Sequence, residues 1–295
     1  MKNIWKNKKV LVTGSEGMIG KELVIQLHKL GANIALWDIK YWYKDRNVKE
    51  GMRPMDITYK DIVERSISKV NPEIIFHLAG VKGNPKMTKE KPVDFMGPML
   101  QFDTNMILVA QKYGVKRFLY TSSIAVENPE SDKYPAWAKQ TAETLIEAMR
   151  IQYPKTKYCI VRPANVYGKE DLSRDNLMVV SGLIKAGLKD KKLILDKKGS
   201  TQIRDLIHAK DVARWMIKAM EEMPEDPVNL SSGQEVSIKQ IASIIAEELD
   251  IPIEYKDLKM TLGPSRKVMG NPYIKPEVTL QKGIKDIINS LKPIP

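Results

Sequence analysis

The stretch that decides the fold lies near the amino terminus and reads Val10-Leu11-Val12-Thr13-Gly14-Ser15-Glu16-Gly17-Met18-Ile19-Gly20. It opens with a short apolar run after charged residues, which is the pattern of a buried parallel strand. From Met18 to Leu30 the apolar residues fall at helical spacing. The sequence therefore predicts a strand that passes through closely spaced glycines directly into a helix.

The three glycines of this turn meet three different needs of a bound dinucleotide. Gly14 permits a tight turn, Gly17 lets the backbone approach a pyrophosphate, and Gly20 lets the helix pack closely on the strand. Asp38 follows 18 residues after Gly20. Its carboxylate can accept hydrogen bonds from the adenosine ribose hydroxyls and would repel a 2′-phosphate. We therefore predict NAD rather than NADP as the cofactor. A plain glycine turn with a solvated aspartate is the alternative.

Strands and helices alternate over the first part of the chain. The predicted strands are Val10–Val12, Ile34–Trp37, Ile74–Leu78, Phe118–Tyr120 and Tyr158–Val161, and the helices between them are Met18–Leu30, Asp61–Lys69, Val93–Tyr113 and Pro135–Tyr153. This order predicts an α/β fold of the Rossmann type, with a doubly wound parallel sheet. After Gly168 the alternation loosens. We expect an NAD-binding domain over residues 1–168. Residues 169–295 are expected to form mainly a smaller C-terminal substrate-binding domain, with some segments returning to the Rossmann sheet.

Composition narrows the class of protein. The 295 residues are 43% hydrophobic and 28% charged, which is ordinary for a soluble globular protein. No apolar stretch reaches the roughly 18 residues of a membrane span. Cys159 is the only cysteine, so neither a disulfide framework nor a cysteine-rich zinc site is expected. We predict a cytoplasmic protein without a membrane partner.

The net charge of +12 favours anionic partners. The lysines are scattered, and the chain contains no arginine-rich block and no recognised nucleic-acid motif. We therefore expect no nucleic-acid partner, and interpret the charge as a lysine-rich surface or a site for phosphorylated substrates.

Further segments add to the glycine turn, in order along the chain. They are Asp56-Ile57, His77-Leu78-Ala79-Gly80, Val115-Lys116-Arg117-Phe118-Leu119-Tyr120-Thr121-Ser122-Ser123, Arg162-Pro163-Ala164-Asn165-Val166-Tyr167-Gly168, Arg204-Asp205-Leu206-Ile207-His208-Ala209-Lys210-Asp211-Val212 and Asn229-Leu230-Ser231-Ser232-Gly233. With them the chain resembles the extended short-chain dehydrogenase/reductase family, of the NAD-dependent nucleotide-sugar epimerase/dehydratase type. The resemblance covers nearly the whole chain.

The resemblance implies which residues contact the ligands. The expected cofactor contacts are Gly14, Gly17, Met18, Ile19, Gly20, Asp38, Asp56, Ile57, Leu78, Ala79, Gly80, Lys139 and Pro163. The expected contacts with a nucleotide-diphosphate sugar are Lys82, Asn165, Arg204 and Arg266. Among them, Arg204 matches an arginine that often meets the substrate diphosphate in this family.

The family's chemistry needs a tyrosine four residues before a lysine at a helix start. The lysine here is Lys139, with Glu143 after it, but the residue four before it is Pro135 and Tyr134 lies five before. Because proline suits the first helical position, we expect Tyr134 at or before the N-cap, from where its ring could reach the nicotinamide. In the alternative, Tyr134 is a surface aromatic residue and the usual base is missing.

The catalytic residues implied by the resemblance are Ser123, Tyr134 and Lys139. Ser123 would hydrogen-bond the sugar oxygen, Tyr134 would carry the proton, and Lys139 would hold the ribose and lower the tyrosine pKa. Ile124 and Ala125 follow Ser123 where the family's dehydratases have acidic residues, so dehydration is not expected. We predict an epimerase or keto-reductase acting at C4 of a nucleotide-diphosphate sugar. The alternative is a binding protein that acts as a sensor or partner subunit without turnover.

The two long predicted helices, Val93–Tyr113 and Pro135–Tyr153, also imply a homodimer. In the family they pair across the interface into a four-helix bundle. Apolar residues that could supply that face are Met99, Phe102, Met106, Leu145 and Met149. The same residues could instead belong to the core of the protomer.

Overall fold

A computed structural model describes residues 3–39, 55–81, 85–173, 177–258 and 275–291. The strands are β1 (Lys9–Thr13), β2 (Asn33–Trp37), β3 (Ile74–His77), β4 (Arg117–Thr121), β5 (Lys157–Pro163), β6 (Asn165–Tyr167), β7 (Leu193–Asp196), β8 (Ile203–Arg204), β9 (Leu206–His208), β10 (Val228–Leu230), β11 (Val236–Ser237) and β12 (Ile253–Lys256). The helices are α1 (Met18–Lys29), α2 (Lys60–Val70), α3 (Pro85–Glu90), α4 (Pro92–Lys112), α5 (Lys133–Gln152), α6 (Val179–Asp190), α7 (Ala209–Glu222), α8 (Ile238–Leu249) and α9 (Leu280–Asn289).

The main sheet has six strands in the order β10-β5-β4-β3-β1-β2. Strands β1 to β5 run parallel to their neighbours, so that Thr13 of β1 pairs with His77 of β3 and Val12 pairs with Leu36 of β2. This arrangement confirms the predicted Rossmann-type α/β fold. Because the strands are parallel, their carboxyl ends lie along one edge, which is where such sheets bind ligands.

Apolar burial explains why these segments form the sheet. Val10, Leu11 and Val12 of β1 are completely buried, and most residues of β3, β4 and β5 are buried. Each such side chain contributes about 1.5–3 kcal/mol relative to an exposed position. Helices α2, α4 and α5 cover one face of the sheet through a single apolar cluster.

The chain divides into two compact units. The first comprises Met1–Pro163 and Ala213–Val228, and the second comprises Ala164–Val212 and Asn229–Pro295. The second unit has its own apolar core, built from α6, α8 and α9 with residues of β6, β7 and β9. No helix among the described residues is both long and apolar enough to cross a membrane.

Four of the five residues expected to supply a dimer face are buried in the core of the first unit instead. Met99, Phe102, Met106 and Met149 are at most 6% exposed and belong to the core of the first unit. Leu145 is half-buried against the same core. The expectation that these four buried residues form an interface is therefore wrong. Apolar spacing identifies the buried face of a helix but not what covers it.

Candidate active site

The glycine turn has no room for side chains at two of its three glycines. Gly14 adopts a φ of +66°, and a Cβ there would lie 2.9 Å from the Ala79 nitrogen. A Cβ on Gly20 would collide with the carbonyl oxygen of Gly14. Helix α1 begins next to this turn, with Gly17 as an N-cap that has no capping side chain. The geometry fits a cradle for a dinucleotide pyrophosphate, because helix-start amides bind anions.

Asp38 follows β2 and faces the same turn. Its Oδ2 accepts a hydrogen bond of 2.9 Å from the backbone amide of Glu16. Its carbonyl oxygen accepts one of 2.9 Å from the amide of Met55. The carboxylate is thus fixed beside the glycine turn, where an adenosine ribose could hydrogen-bond to it.

The predicted adenine-side pair, Asp56 and Ile57, is held by local hydrogen bonds. Asp56 Oδ1 accepts from the amide of Thr58 at 3.0 Å and from its hydroxyl at 2.6 Å. The side-chain amide of Asn105 on α4 donates to the carbonyl oxygens of Ile57 and Thr58 at 3.1 and 2.8 Å. Asn105 was missed by the sequence reasoning, because only the tertiary packing of α4 brings it to this loop.

The segment after β3 passes directly against the glycine turn. The amides of Leu78 and Ala79 both donate to the Thr13 hydroxyl at 3.2 Å. At Gly80, by contrast, a Cβ would meet no atom within 4 Å. The protein therefore does not itself require glycine there, and the alanine found at this position in the related family would fit.

Ser123 lies at the end of β4, where it caps a 3₁₀ turn over Ile124–Glu127. Its Oγ accepts a hydrogen bond of 3.2 Å from the Ala125 amide, so the hydroxyl proton remains to be donated elsewhere. Two preceding hydroxyls, those of Thr121 and Ser122, are buried without a hydrogen-bond partner among the described residues. Unsatisfied buried hydroxyls are costly, and their position at the strand end is consistent with a site for a polar ligand.

Lys139 on α5 is only 7% exposed. Its Nζ lies 3.5 Å from Oδ2 of Asp103 and 4.6 Å from the ring centre of Tyr120. Burial alone would raise the pKa of Asp103. The charge of Lys139 and the hydrogen bonds from His77 and Tyr120 outweigh burial and hold this pKa below its usual value.

Tyr120 is the tyrosine in contact with this lysine, but it is unsuited to proton transfer. It is fully buried and its hydroxyl donates to Asp103 at 2.6 Å. Burial and the nearby carboxylate raise the pKa of Tyr120 well above its usual value. A general acid–base works best with a pKa near the operating pH, so this phenol is excluded as the proton carrier.

Tyr134 does not lie where the sequence indicated. Helix α5 begins at Lys133, with Asp132 as its N-cap, so the expectation that Pro135 opens the helix and leaves Tyr134 outside it is wrong. Proline fits here because the first turn of a helix does not use its amides within the helix. Tyr134 is 38% exposed. Five helical residues turn through about 500°, which leaves its side chain about 140° around the axis from that of Lys139.

The carboxylate of Glu143, four residues after Lys139, is paired with an arginine. Arg162 of β5 donates to both carboxylate oxygens of Glu143, at 3.0 and 2.5 Å. The same guanidinium lies 3.5 Å from Glu127. This paired geometry ties α5 to β5, and Pro163, the buried end of β5, follows directly.

In the second unit, the predicted substrate-binding side chains make local contacts. Arg204 donates to the carbonyl oxygen of Ile203 at 2.7 Å and to the side chain of Gln202 at 3.2 Å. The side-chain amide of Asn165 donates through Nδ2 to the carbonyl oxygen of Asp205 at 3.0 Å. The two remaining predicted substrate contacts, Lys82 and Arg266, lie outside the described residues.

Asp205 organises the loop that begins at Asn229. Its carboxylate accepts hydrogen bonds from the amide and hydroxyl of Ser232 at 2.8 and 2.6 Å, and from the amide of Gly233 at 3.1 Å. Asp205 therefore links two of the sequence segments, because the segment that begins at Arg204 holds the segment Asn229–Gly233 in place through these hydrogen bonds.

A parallel sheet, a glycine turn without room for side chains and an acidic residue beside it define an NAD-binding α/β protein. Residues 10–231 match the NAD dependent epimerase/dehydratase family, and the chain belongs to this family. The predicted resemblance and the NAD cofactor are thereby confirmed.

Relatives match over almost their whole length. A putative UDP-glucose 4-epimerase of Methanocaldococcus jannaschii is 26% identical, over 96% of this chain and 98% of the relative. GDP-L-fucose synthase 1 of Arabidopsis thaliana is 25% identical, over 95% of this chain and 91% of the relative. The solved structure of UDP-glucose 4-epimerase from Thermotoga maritima shares the fold with a TM-score of 0.83 at 24% identity, covering 95% of this chain and 97% of that one.

Proposed function

We propose that this chain is an NAD-dependent epimerase or keto-reductase that acts on a nucleotide-diphosphate sugar, at C4, by transient hydride transfer. The observation that carries the proposal is the buried Lys139 in the same compact unit as the glycine turn and Ser123. The names of the relatives, a putative UDP-glucose 4-epimerase and a GDP-L-fucose synthase, support a nucleotide sugar as the substrate.

The cofactor would be held by the glycine turn at its pyrophosphate, by Asp38 at its adenosine ribose and by Lys139 at its nicotinamide ribose. When bound, NAD supplies an acceptor that takes a hydride from the sugar carbon and can return it. Ser123 is suited to donate to the sugar oxygen, because its own oxygen already accepts from the Ala125 amide. Tyr134 is proposed to carry the proton of the sugar hydroxyl.

Dehydration is not part of the proposal. Eliminating water needs an additional acid and base beside Ser123, and the residues there are Ile124 and Ala125. The Ala125 side chain is also buried. With no titratable group in either position, epimerisation or reduction at a keto carbon remains.

Assays with UDP-, GDP- and dTDP-sugars test the proposed activity. Purified protein is expected to convert at least one of them, with NAD if the reaction is an epimerisation, or with NADH and a 4-keto sugar if it is a reduction, as followed by chromatography of the sugar products. The second candidate, a sensor or partner subunit, is favoured by the outward position of Tyr134 on α5. It predicts that NAD and a nucleotide sugar bind while none of the panel is converted.

Cofactor choice provides a test of Asp38. Because its carboxylate would repel a 2′-phosphate, NADP should bind more weakly than NAD. Asp38→Asn removes the charge and is expected to narrow this preference, as measured by calorimetry with both cofactors. Asp61→Asn, at an exposed aspartate on α2, is the matched control and should keep the wild-type preference. Equal or tighter NADP binding by the wild type would contradict the assignment.

Arg204 is proposed to bind the substrate diphosphate, since a guanidinium offers paired donors to phosphate oxygens. Arg204→Ala should weaken nucleotide-sugar binding by about 1.5–3 kcal/mol, the usual worth of a hydrogen bond to a charged group. NAD affinity should stay unchanged in the same calorimetric titrations. A parallel loss of both affinities would instead indicate a structural role, in keeping with the contacts of Arg204 to Ile203 and Gln202.

A homodimer and a cytoplasmic location complete the proposal. The apolar residues left half-buried on the two long helices are Met96, Leu100 and Leu108 of α4 and Leu145 of α5. Trp137 of α5 is 42% exposed. These side chains, together with Val93 and Ile151, which are 76% and 85% exposed, are available for pairing with a second copy, whereas the buried methionines are not. Light scattering at micromolar concentration measures the oligomeric state.

A further inference from the structure

Five polar side chains from five different elements form a cluster inside the first unit. They are Thr13 of β1, His77 of β3, Asp103 of α4, Tyr120 of β4 and Lys139 of α5, and none is more than 7% exposed. We call this set the Asp103 cluster. Buried polar groups are costly unless they are paired, so the pairing within the cluster shows what each group does.

The hydrogen bonds fix the direction of donation along one arm of the cluster. Thr13 Oγ1 accepts from the amides of Leu78 and Ala79, which leaves its proton to be donated to His77 Nδ1 at 2.7 Å. His77 Nε2 then carries the ring proton and donates to Asp103 Oδ1 at 2.9 Å. Burial lowers the pKa of His77 despite the neighbouring carboxylate, in agreement with a neutral ring.

The other arm ends at the lysine of the proposed active site. Asp103 Oδ2 accepts from the Tyr120 hydroxyl at 2.6 Å and lies 3.5 Å from Lys139 Nζ. With His77 neutral, Asp103 is the anion that balances the buried ammonium within the cluster. Removing one member of such a pair leaves an uncompensated buried charge, which is strongly unfavourable.

We propose that Asp103 is a positioning residue that holds the ammonium of Lys139 in place for the nicotinamide ribose, in a chain where Pro135 stands in place of the tyrosine expected beside that lysine. The proposal rests on the role given to Lys139 in the proposed function. Through His77 and Thr13, the same carboxylate is linked to the backbone of Ala79, which lies against Gly14 of the glycine turn.

A comparison of two ligands separates this role from a general structural one. ADP carries the adenosine ribose and the diphosphate of NAD but lacks the nicotinamide ribose. Loss of Lys139 positioning should therefore weaken NAD binding and spare ADP binding. A merely structural defect that loosens the fold would weaken both ligands alike.

The experiment is calorimetric titration of NAD and of ADP into the full chain and its variants. Asp103→Asn keeps the shape and removes the charge, and is expected to weaken NAD binding about tenfold, the scale of one charge-assisted hydrogen bond. ADP binding should change less than about twofold on the same scale. Asp94→Asn, at an exposed position of the same helix, is the matched control and should change neither affinity. Tyr120→Phe keeps the ion pair and should preserve the ratio of NAD to ADP affinity.

Should Asp103→Asn not fold, Asp103→Ser removes the same charge with a smaller side chain and carries the same expectation. An unchanged NAD-to-ADP affinity ratio in both uncharged variants, or an equal loss of affinity for both ligands, overturns the positioning role of Asp103. It leaves the proposed contact of Lys139 with the nicotinamide ribose in place. Wild-type protein that binds NAD no more tightly than ADP overturns the ribose contact of Lys139, and this proposal with it.

Discussion

Gly20→Ala is expected to weaken NAD binding by up to about 100-fold. The added Cβ would collide with the Gly14 carbonyl oxygen and lie 2.8 Å from the Cα of Ser15. Both neighbours are backbone atoms of the turn, so the first turn of α1 must move away from the strand. Overpacking of this kind costs up to about 3 kcal/mol, which corresponds to about two orders of magnitude in affinity.

Calorimetric titration of NAD measures this loss, and thermal unfolding shows whether the variant remains folded. Gly97→Ala on α4 is the matched control, because its Cβ would meet only Val93 Cγ1, at 4.0 Å. It should bind NAD like the wild type. A folded Gly20→Ala protein with wild-type affinity would show that the pyrophosphate does not depend on the close approach of α1 and β1.

The glycine turn was predictable because its information is local. The apolar run of β1, the three glycines and the helical spacing of α1 are contiguous in sequence, and each has one simple physical reason. The start of α5 was not predictable in the same way. The first amides of a helix have no hydrogen-bond partner within the helix, so proline, which has no amide proton, costs no hydrogen bond at any position of the first turn. Pro135 could therefore be the first helical residue or, as found, the third.

The Asp103 cluster shows what sequence alone could not supply. Asp103 contacts residues 26, 17 and 36 positions away in sequence, namely His77, Tyr120 and Lys139. Only the order of parallel strands and the packing of α4 on α5 bring them together. The one sequence signal was an acidic residue directly after Phe102 on the apolar face of a helix, where a charge is rarely buried without a partner.

The same limit applies to the apolar faces of α4 and α5. Their spacing predicts that Met99, Met106 and Met149 are buried, and they are. It does not tell whether a helix of the same chain or of a second copy covers them, since the hydrophobic effect depends on the area buried and not on its source. The structure places these residues in the protomer core, leaves Leu100 and Leu108 half-buried against it and leaves Trp137 exposed.

Tyr134→Phe is expected to lower turnover by about 10²–10⁴-fold, the usual effect of removing a general acid–base. Some group must take the proton of the sugar hydroxyl as the hydride leaves. Ser123 is too weak an acid to ionise, Lys139 is paired as a cation with Asp103, and Tyr120 donates to the same carboxylate. Tyr134 lies in the first turn of α5 and is partly exposed, so its ring can reorient when a substrate binds.

Turnover of the sugar converted by the wild type measures the effect, and calorimetry should show NAD binding that is barely changed. Tyr153→Phe is the matched control and should retain full activity, because Tyr153 is the C-cap at the other end of α5 and is 36% exposed, close to the 38% of Tyr134. Activity that survives Tyr134→Phe would mean that another group carries the proton. Glu127 is then the next candidate, because the 3₁₀ turn that Ser123 caps ends at this residue and its carboxylate lies 3.5 Å from Arg162. Glu127→Gln would then abolish turnover where Tyr134→Phe does not, and this reversal would move the proton transfer from α5 to the turn after β4.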